Sequence, residues 1–125
     1  PPQYGLFASD PIPPGTLILE HRSVVLPRKE YIQDPTSQYT ELCGPKAHVR
    51  ILGPPLSVAL DAREWGNEAR FARVSCRPNA LVRPMIVQGE LRFGLVSIGG
   101  IGRREEIVVP WEWEDGSVVH WLLSL

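Results

Sequence analysis

Few residues of this chain stand at the spacings that reactive chemistry requires. Cys43 and Cys76 lie 33 residues apart, with no C-x-x-C and no third thiol. A zinc site or a redox dithiol needs a tighter pattern; two buried free thiols in a reducing compartment, or one disulfide, are the readings left. Nothing marks Cys76 as an activated nucleophile, so a buried structural thiol is expected there. His21, His48 and His120 are scattered, without H-E-x-x-H or a Cys/His cluster, and no metal site is expected. Gly99, Gly100 and Gly102 have the look of a phosphate cradle. They lead into a strand rather than a helix, so a turn is expected instead. Trp111 and Trp113 are two apart and share a face if that stretch is a strand, with Trp65 and Trp121 as further candidates. Indole is the best face for a quaternary ammonium. Core or interface packing is the competing use of so large a ring.

Charge is patterned although the net charge is only −1, which excludes a globally basic nucleic-acid module. Arg70, Arg73, Arg77, Arg83 and Arg92 face a single acid, Glu90, between residues 69 and 92. Residues 105–115 hold five acids, Glu105, Glu106, Glu112, Glu114 and Asp115, and no base. Two solvated faces that partly neutralise each other account for this pattern. A steered docking surface also does, with Arg73 and Arg77 contacting an acidic partner or nucleic acid. A third account ties Arg70, Arg73 and Arg77 to the acids from Glu112 to Asp115.

The elements that must position these residues are short strands. The 125 residues fit one domain, 1–125, long enough to bury a core without staples. Thirteen Pro and 11 Gly make up about a fifth of the chain, above the average of ~12%. That excess argues for a loop-rich β domain rather than a helical bundle. No apolar run reaches the ~18 residues of a membrane span, and the start at Pro1 reads as a piece of a longer protein. Strands are expected at Gly5–Ala8, Thr16–Glu20, Ser23–Leu26, His48–Leu52, Ser57–Leu60 and Glu106–Val109. The clearest hairpin runs from Asn79–Val87 through Gly89-Glu90 to Leu91–Ile98. Residues 27–47 read as an irregular insert with one helical turn near Tyr31. Gly66–Phe71 is too short for a full helix, and Ser117–Leu125 fits a short helix or a strand.

The stretch Asp61 to Asn79 reads D-A-R-E-W-G-N-E-A-R-F-A-R-V-S-C-R-P-N. It resembles the signature of the SET domain, the lysine-methyltransferase fold, at Asp61, Ala62, Gly66, Asn67, Arg70, Phe71, Ser75, Cys76, Pro78 and Asn79. Gly5-Leu-Phe-Ala8, Ile12-Pro-Pro-Gly15-Thr16 and Glu20 look like the family's opening. Arg92-Phe-Gly-Leu, Ile101 and Arg104-Glu-Glu-Ile107 look like its closing stretch. The resemblance covers Tyr4 to Trp111, in order. It implies a mainly β fold of small curved sheets around a knot-like core with few short helices. In that fold the 70–79 segment and the strand after Glu106 cross, with Asp61 and Arg70 organising the crossing by hydrogen bonds.

The resemblance also implies S-adenosylmethionine on one face and a lysine channel from the other. The family's cofactor positions fall on Gln3, Tyr4, Gly5, Arg70, Phe71, Arg73 and Val74. Gln3 adds a side chain to a G-x-G motif, and Arg73 puts a cation where an Asn side chain meets the cofactor's amino group. The catalytic Tyr position falls on Trp111, which has no hydroxyl, so no catalytic residue and no bound cofactor are expected. The post-SET cysteine cluster is missing from this stretch. Arg73 in place of Asn looks like the branch of fungal SET subunits of histone-deacetylase complexes, related to animal mixed-lineage-leukaemia protein five. What the resemblance implies is a nuclear chromatin regulator that binds complex subunits or a histone tail without catalysis. An active protein-lysine methyltransferase using S-adenosylmethionine and a methyl-lysine reader stand as alternatives.

Overall fold

The apolar alternation from Ala80 to Ser97 folds back on itself as the central hairpin. A computed structural model describes residues 4–33, 38–39, 44–45, 48–111 and 114–122. In chain order the strands are β1 (Leu17–Glu20), β2 (Val24–Pro27), β3 (Gln38–Tyr39), β4 (Gly44–Pro45), β5 (Val49–Leu52), β6 (Val58–Asp61), β7 (Arg73–Val74), β8 (Ala80–Val87), β9 (Glu90–Ser97), β10 (Val108–Val109) and β11 (His120–Leu122). A six-residue helix, α1 (Arg28–Gln33), follows β2, and a 3₁₀ turn spans Glu68–Phe71. The fold is mainly β with few short helices, as expected.

β8 and β9 pair antiparallel from Ala80 opposite Ser97 to Val87 opposite Glu90. Gln88 and Gly89 between them have φ of 50° and 82°, the left-handed pair that a two-residue type I′ turn demands. The turn thus falls one residue earlier than expected. β1 adds antiparallel to β9, and β11 adds parallel to β8, giving the order β1-β9-β8-β11. Within the C-terminal stretch His120–Leu122 is therefore a strand, and residues 123–125 lie outside the described residues. The β-branched Val118 and Val119 run into the free edge of β8, which offers ladder partners a helix would leave unused. A second sheet has the order β2-β6-β5, and β10 pairs with β7.

Strand alternation builds the core between the two larger sheets. Ala80 and Val82 of β8, Phe93 and Leu95 of β9, Leu60 of β6 and Leu52 of β5 meet Ile101, Ile107 and Val109 there. Val49 and Ile51 face the other way, onto Tyr31 of α1 and Ala59, because residues two apart on a strand share a face. The helical turn expected near Tyr31 is present and is held by that buried ring. The insert also carries the small pair β3–β4.

Gly5–Ala8 is not a full strand. Phe7 makes one bridge with Glu106, while Ala8 N donates to Glu105 O and Ile107 N to Leu6 O. Its partner chain turns at Arg104, where φ is 66°, so the ladder cannot continue.

Candidate functional site at the crossing of two segments

Two segments far apart in sequence meet at β7 and β10. Arg73 lies opposite Val108 and Val74 opposite Val109, in parallel register. Ser75 N donates to Val109 O at 2.8 Å, and Asn79 N to Val108 O at 3.1 Å. The Asn79 side chain locks the crossing. Its Nδ2 donates to Glu106 O (2.8 Å) and Glu105 Oε2 (3.1 Å), and its Oδ1 accepts from Val108 N (2.9 Å). Asn67 does similar work at the other end, donating to Glu20 O (2.7 Å) and accepting from Arg22 N (3.0 Å). Beside it, a Cβ on Gly66 would meet Arg22 O and the Ala62 methyl at 2.8 Å, so only glycine fits.

Asp61 and Arg70 do not organise the crossing as expected. Asp61 is bound by its neighbour Arg63 through Nη2 at 2.7 Å and Nε at 3.0 Å, which holds its carboxyl below the ordinary value. The Arg70 guanidinium lies over the Phe71 ring, 5.1 Å from its centroid, and reaches Ala62 O at 3.4 Å. Short polar side chains facing the opposite backbone win this role over long charged ones.

Of the expected cofactor positions, Tyr4, Gly5, Arg70, Phe71, Arg73 and Val74 come together, and Gln3 lies outside the described residues. Phe71 packs against Tyr4 (5.7 Å between centroids) and edge-on against His48 (5.8 Å). His48 Nδ1 lies 2.8 Å from Arg70 O. Tyr4 and Val74 are exposed. Next to them Arg73 grips Glu106 with two parallel bonds, Nε to Oε2 at 2.6 Å and Nη2 to Oε1 at 2.7 Å. This pairing holds the Glu106 carboxyl below the usual carboxylate range. Glu106 is a functional candidate that sequence reasoning missed. Arg73 and Glu106 come within reach because β7 and β10 pair in parallel, with Arg73 opposite Val108, and two residues of pattern cannot announce that pairing.

Trp111 stands just past the crossing, and its 63% exposure contradicts the expectation of a packed ring. Trp65 and Trp121 are exposed as well, while Trp113 lies outside the described residues. Trp111 is not on a strand, since β10 ends at Val109. Pro110 ends the ladder, having no amide hydrogen to give. Arg50 of β5 holds this segment at both ends. Its Nη2 donates to Pro110 O at 2.9 Å and to Glu114 Oε1 at 2.7 Å.

Glu114 and Arg50 are both buried, at 2% and 8% exposure. Burial pushes the Glu114 carboxyl up, while Arg50 pulls against it. His21 is buried near this pair, and its Nδ1 has no hydrogen-bond partner among the described residues. Desolvation, reinforced by the Arg50 charge, lowers its pKa to about 4.

The two charged runs are joined, but not as the acids at 112–115 led one to expect. Arg73 takes Glu106, and among the described residues, which leave out Glu112, Arg83 reaches the Asp115 carbonyl at 3.5 Å. Glu114 is not on a solvated face at all. Cys76 is a free thiol and exposed rather than buried; Cys43 lies outside the described residues. Among the described residues no cluster of His, Cys, Asp or Glu could hold a metal, and no helix is long and apolar enough to cross a membrane.

Known proteins are similar to this chain in sequence and in fold. The chain is 36% identical over 112 residues to SET domain-containing protein 3 of Schizosaccharomyces pombe, covering 87% of this chain and 13% of that protein. It is 35% identical over 121 residues to the Arabidopsis thaliana histone-lysine N-methyltransferase ASHH1, covering 95% and 24%. It is 31% identical over 112 residues to the inactive histone-lysine N-methyltransferase 2E of Mus musculus, covering 90% and 6%. The chain thus spans a quarter or less of each relative. Among solved structures, the fold matches a chain of ctPRC2 in an autoinhibited conformation bound to S-adenosylmethionine. The TM-score is 0.66 at 23% identity, over 86% of this chain and 13% of that one. The SET domain pattern itself matches residues 3–111, from the residue before Tyr4 to the exposed indole past the crossing, and the chain belongs to the SET-domain family.

Proposed function

We propose that this SET domain is a non-catalytic interaction module of a nuclear chromatin regulator. On this reading it belongs with the fungal SET subunits of histone-deacetylase complexes and acts as a scaffold or recruitment surface in transcriptional regulation. The observation that carries the proposal is the pairing of Arg73 with Glu106 on the face bearing the family's cofactor positions. S-adenosylmethionine presents an ammonium and a sulfonium, and a guanidinium has only donors to offer them. Trp111 supports the same reading from the other side. An indole nitrogen can donate but cannot accept, and the ring stands in solvent instead of closing a lysine channel. The mouse relative named as inactive is consistent with this.

Transfer of the methyl group is an in-line displacement whose acceleration rests on positioning and desolvation. A site without a cofactor amine acceptor or an orienting hydroxyl has little left to position. The partners are subunits of a chromatin complex or a histone tail. Arg77, which has no ion pair among the described residues, is available to an acidic segment of such a partner. The active-enzyme reading is favoured by one observation, the 35% identity to the Arabidopsis protein named as a methyltransferase. Calorimetry with S-adenosylmethionine, followed by a radiolabel transfer assay on histone H3, separates the two. Neither binding nor transfer is expected. Transfer by the wild-type domain would sink the non-catalytic reading.

A further inference from the structure

The room that Gly5 leaves is filled from inside the chain. A Cβ on Gly5 would lie 2.8 Å from Glu106 Oε2 and 3.0 Å from the Phe7 ring. A side chain there would have to push the Glu106 carboxylate and the Phe7 ring aside. The carboxylate is held in turn by the two-pronged grip of Arg73, and the backbone bridge between Phe7 and Glu106 sets the main chain that carries it. The glycine therefore has a use in this chain that needs no ligand: it admits Glu106.

We infer that the Arg73–Glu106 pair is a built-in occupant of the methyl-donor face, a plug seated against the Gly5 backbone where a small molecule would have to approach. The inference rests on the reading of that face as the cofactor side of the fold, and deepens it by naming what closes it. The two halves of the plug act with opposite sign on a cationic ligand. Arg73 repels it, and Glu106 spends its charge on Arg73. Removing Arg73 leaves a carboxylate beside Gly5, a receptor for ammonium or sulfonium. Removing the Glu106 charge takes the nearby carboxylate away from the guanidinium, so the face refuses such a ligand more strongly.

The test is a set of three variants of the whole chain: Arg73→Asn, Glu106→Gln and the two combined. Each is titrated with S-adenosylmethionine by calorimetry, with folding checked by thermal melt and the Glu106 carboxyl followed by NMR titration. Arg73→Asn should bind at least about tenfold more tightly than wild type, and the Glu106 titration should return to the ordinary carboxylate range. Glu106→Gln should gain nothing, and the double variant should bind less tightly than Arg73→Asn. A folded Arg73→Asn without that gain, or an equal gain from Glu106→Gln, overturns the plug. Binding by wild type would instead count against the non-catalytic reading, and the ratio of Arg73→Asn to wild type would still decide the plug.

Discussion

At the scale of single residues, the signature of this family is mostly architecture here. Asn79 satisfies one backbone amide, one backbone carbonyl and one carboxylate across the crossing. Replacing it by Ala strands Val108 N and Glu106 O in a partly buried place. An unsatisfied group of this kind costs about 1–3 kcal/mol, so Asn79→Ala should lower stability by roughly 2–4 kcal/mol in urea unfolding. A loss within about 0.5 kcal/mol would mean that water replaces the amide. His21 adds a pH dependence whose sign is fixed by its lowered pKa. Its folded value is about 4 against an ordinary 6.5, so below pH 6.5 the unfolded chain takes a proton that the native state refuses. Stability should therefore fall as pH drops from 6.5 towards 4, by about 3 kcal/mol from this group. Glu114 works the other way. Its raised pKa gives a contribution present below 4.5 that is lost as pH rises through the folded value. His21→Asn should therefore flatten or invert the slope of urea midpoints between pH 6.5 and 4.5. An unchanged slope would show that His21 is not neutral in the native state.

Among the elements, the strap from Pro110 to Glu114 depends on one buried cation. Arg50 sits on β5 between Val49 and Ile51, and it faces the Leu52 side of the strand, where Glu114 N also joins Ile51 O. Removing one partner of a buried pair costs about 3–5 kcal/mol, more than the pair contributes over an apolar substitute. Arg50→Ala should therefore destabilise by that amount, and Arg50→Met with Glu114→Leu should recover most of it. Thermal melts of the single and double variants check this; an additive double variant would show that the two side chains do not interact. Much of this scale was legible beforehand. Runs rich in Val, Leu and Ile marked β1, β2, β5, β6, β8 and β9, because β-branched and bulky apolar side chains suit the pleated, paired backbone. The two-residue strands β7 and β10 were harder. β7 did not stand out at all, since its backbone is set by a partner more than 30 residues away rather than by local preference. The site followed the same division. The positions that gather around Gly5 came from the motif, whereas the pairing of Arg73 with Glu106 instead of the later acids came from parallel register. The exposed tryptophans defied composition because ring size argues for burial only where the fold offers a pocket.

For the molecule as a whole, catalysis is a property of several sites acting together. A methyl donor must be bound on one face, and a lysine amine must be aligned from the other. Binding without alignment leaves the transition state unsupported. If the proposed lack of catalysis comes from the departures at Gln3, Arg73, Val74 and Trp111, the combined variant Gln3→Gly, Arg73→Asn, Val74→His, Trp111→Tyr should supply both halves. The substitution at 111 should be mild in stability, since that ring stands largely in solvent and its truncation leaves no core cavity. Val74 is exposed too, so the greater structural risk lies at Arg73, whose loss frees Glu106. The variant is mixed with radiolabelled S-adenosylmethionine and histone H3, with folding checked by thermal melt. Cofactor binding with measurable transfer is the expected outcome, and no single substitution among the four should give transfer. A folded variant that binds the cofactor but transfers nothing would place the remaining block on the lysine side, because binding without alignment of the amine leaves the transition state unsupported.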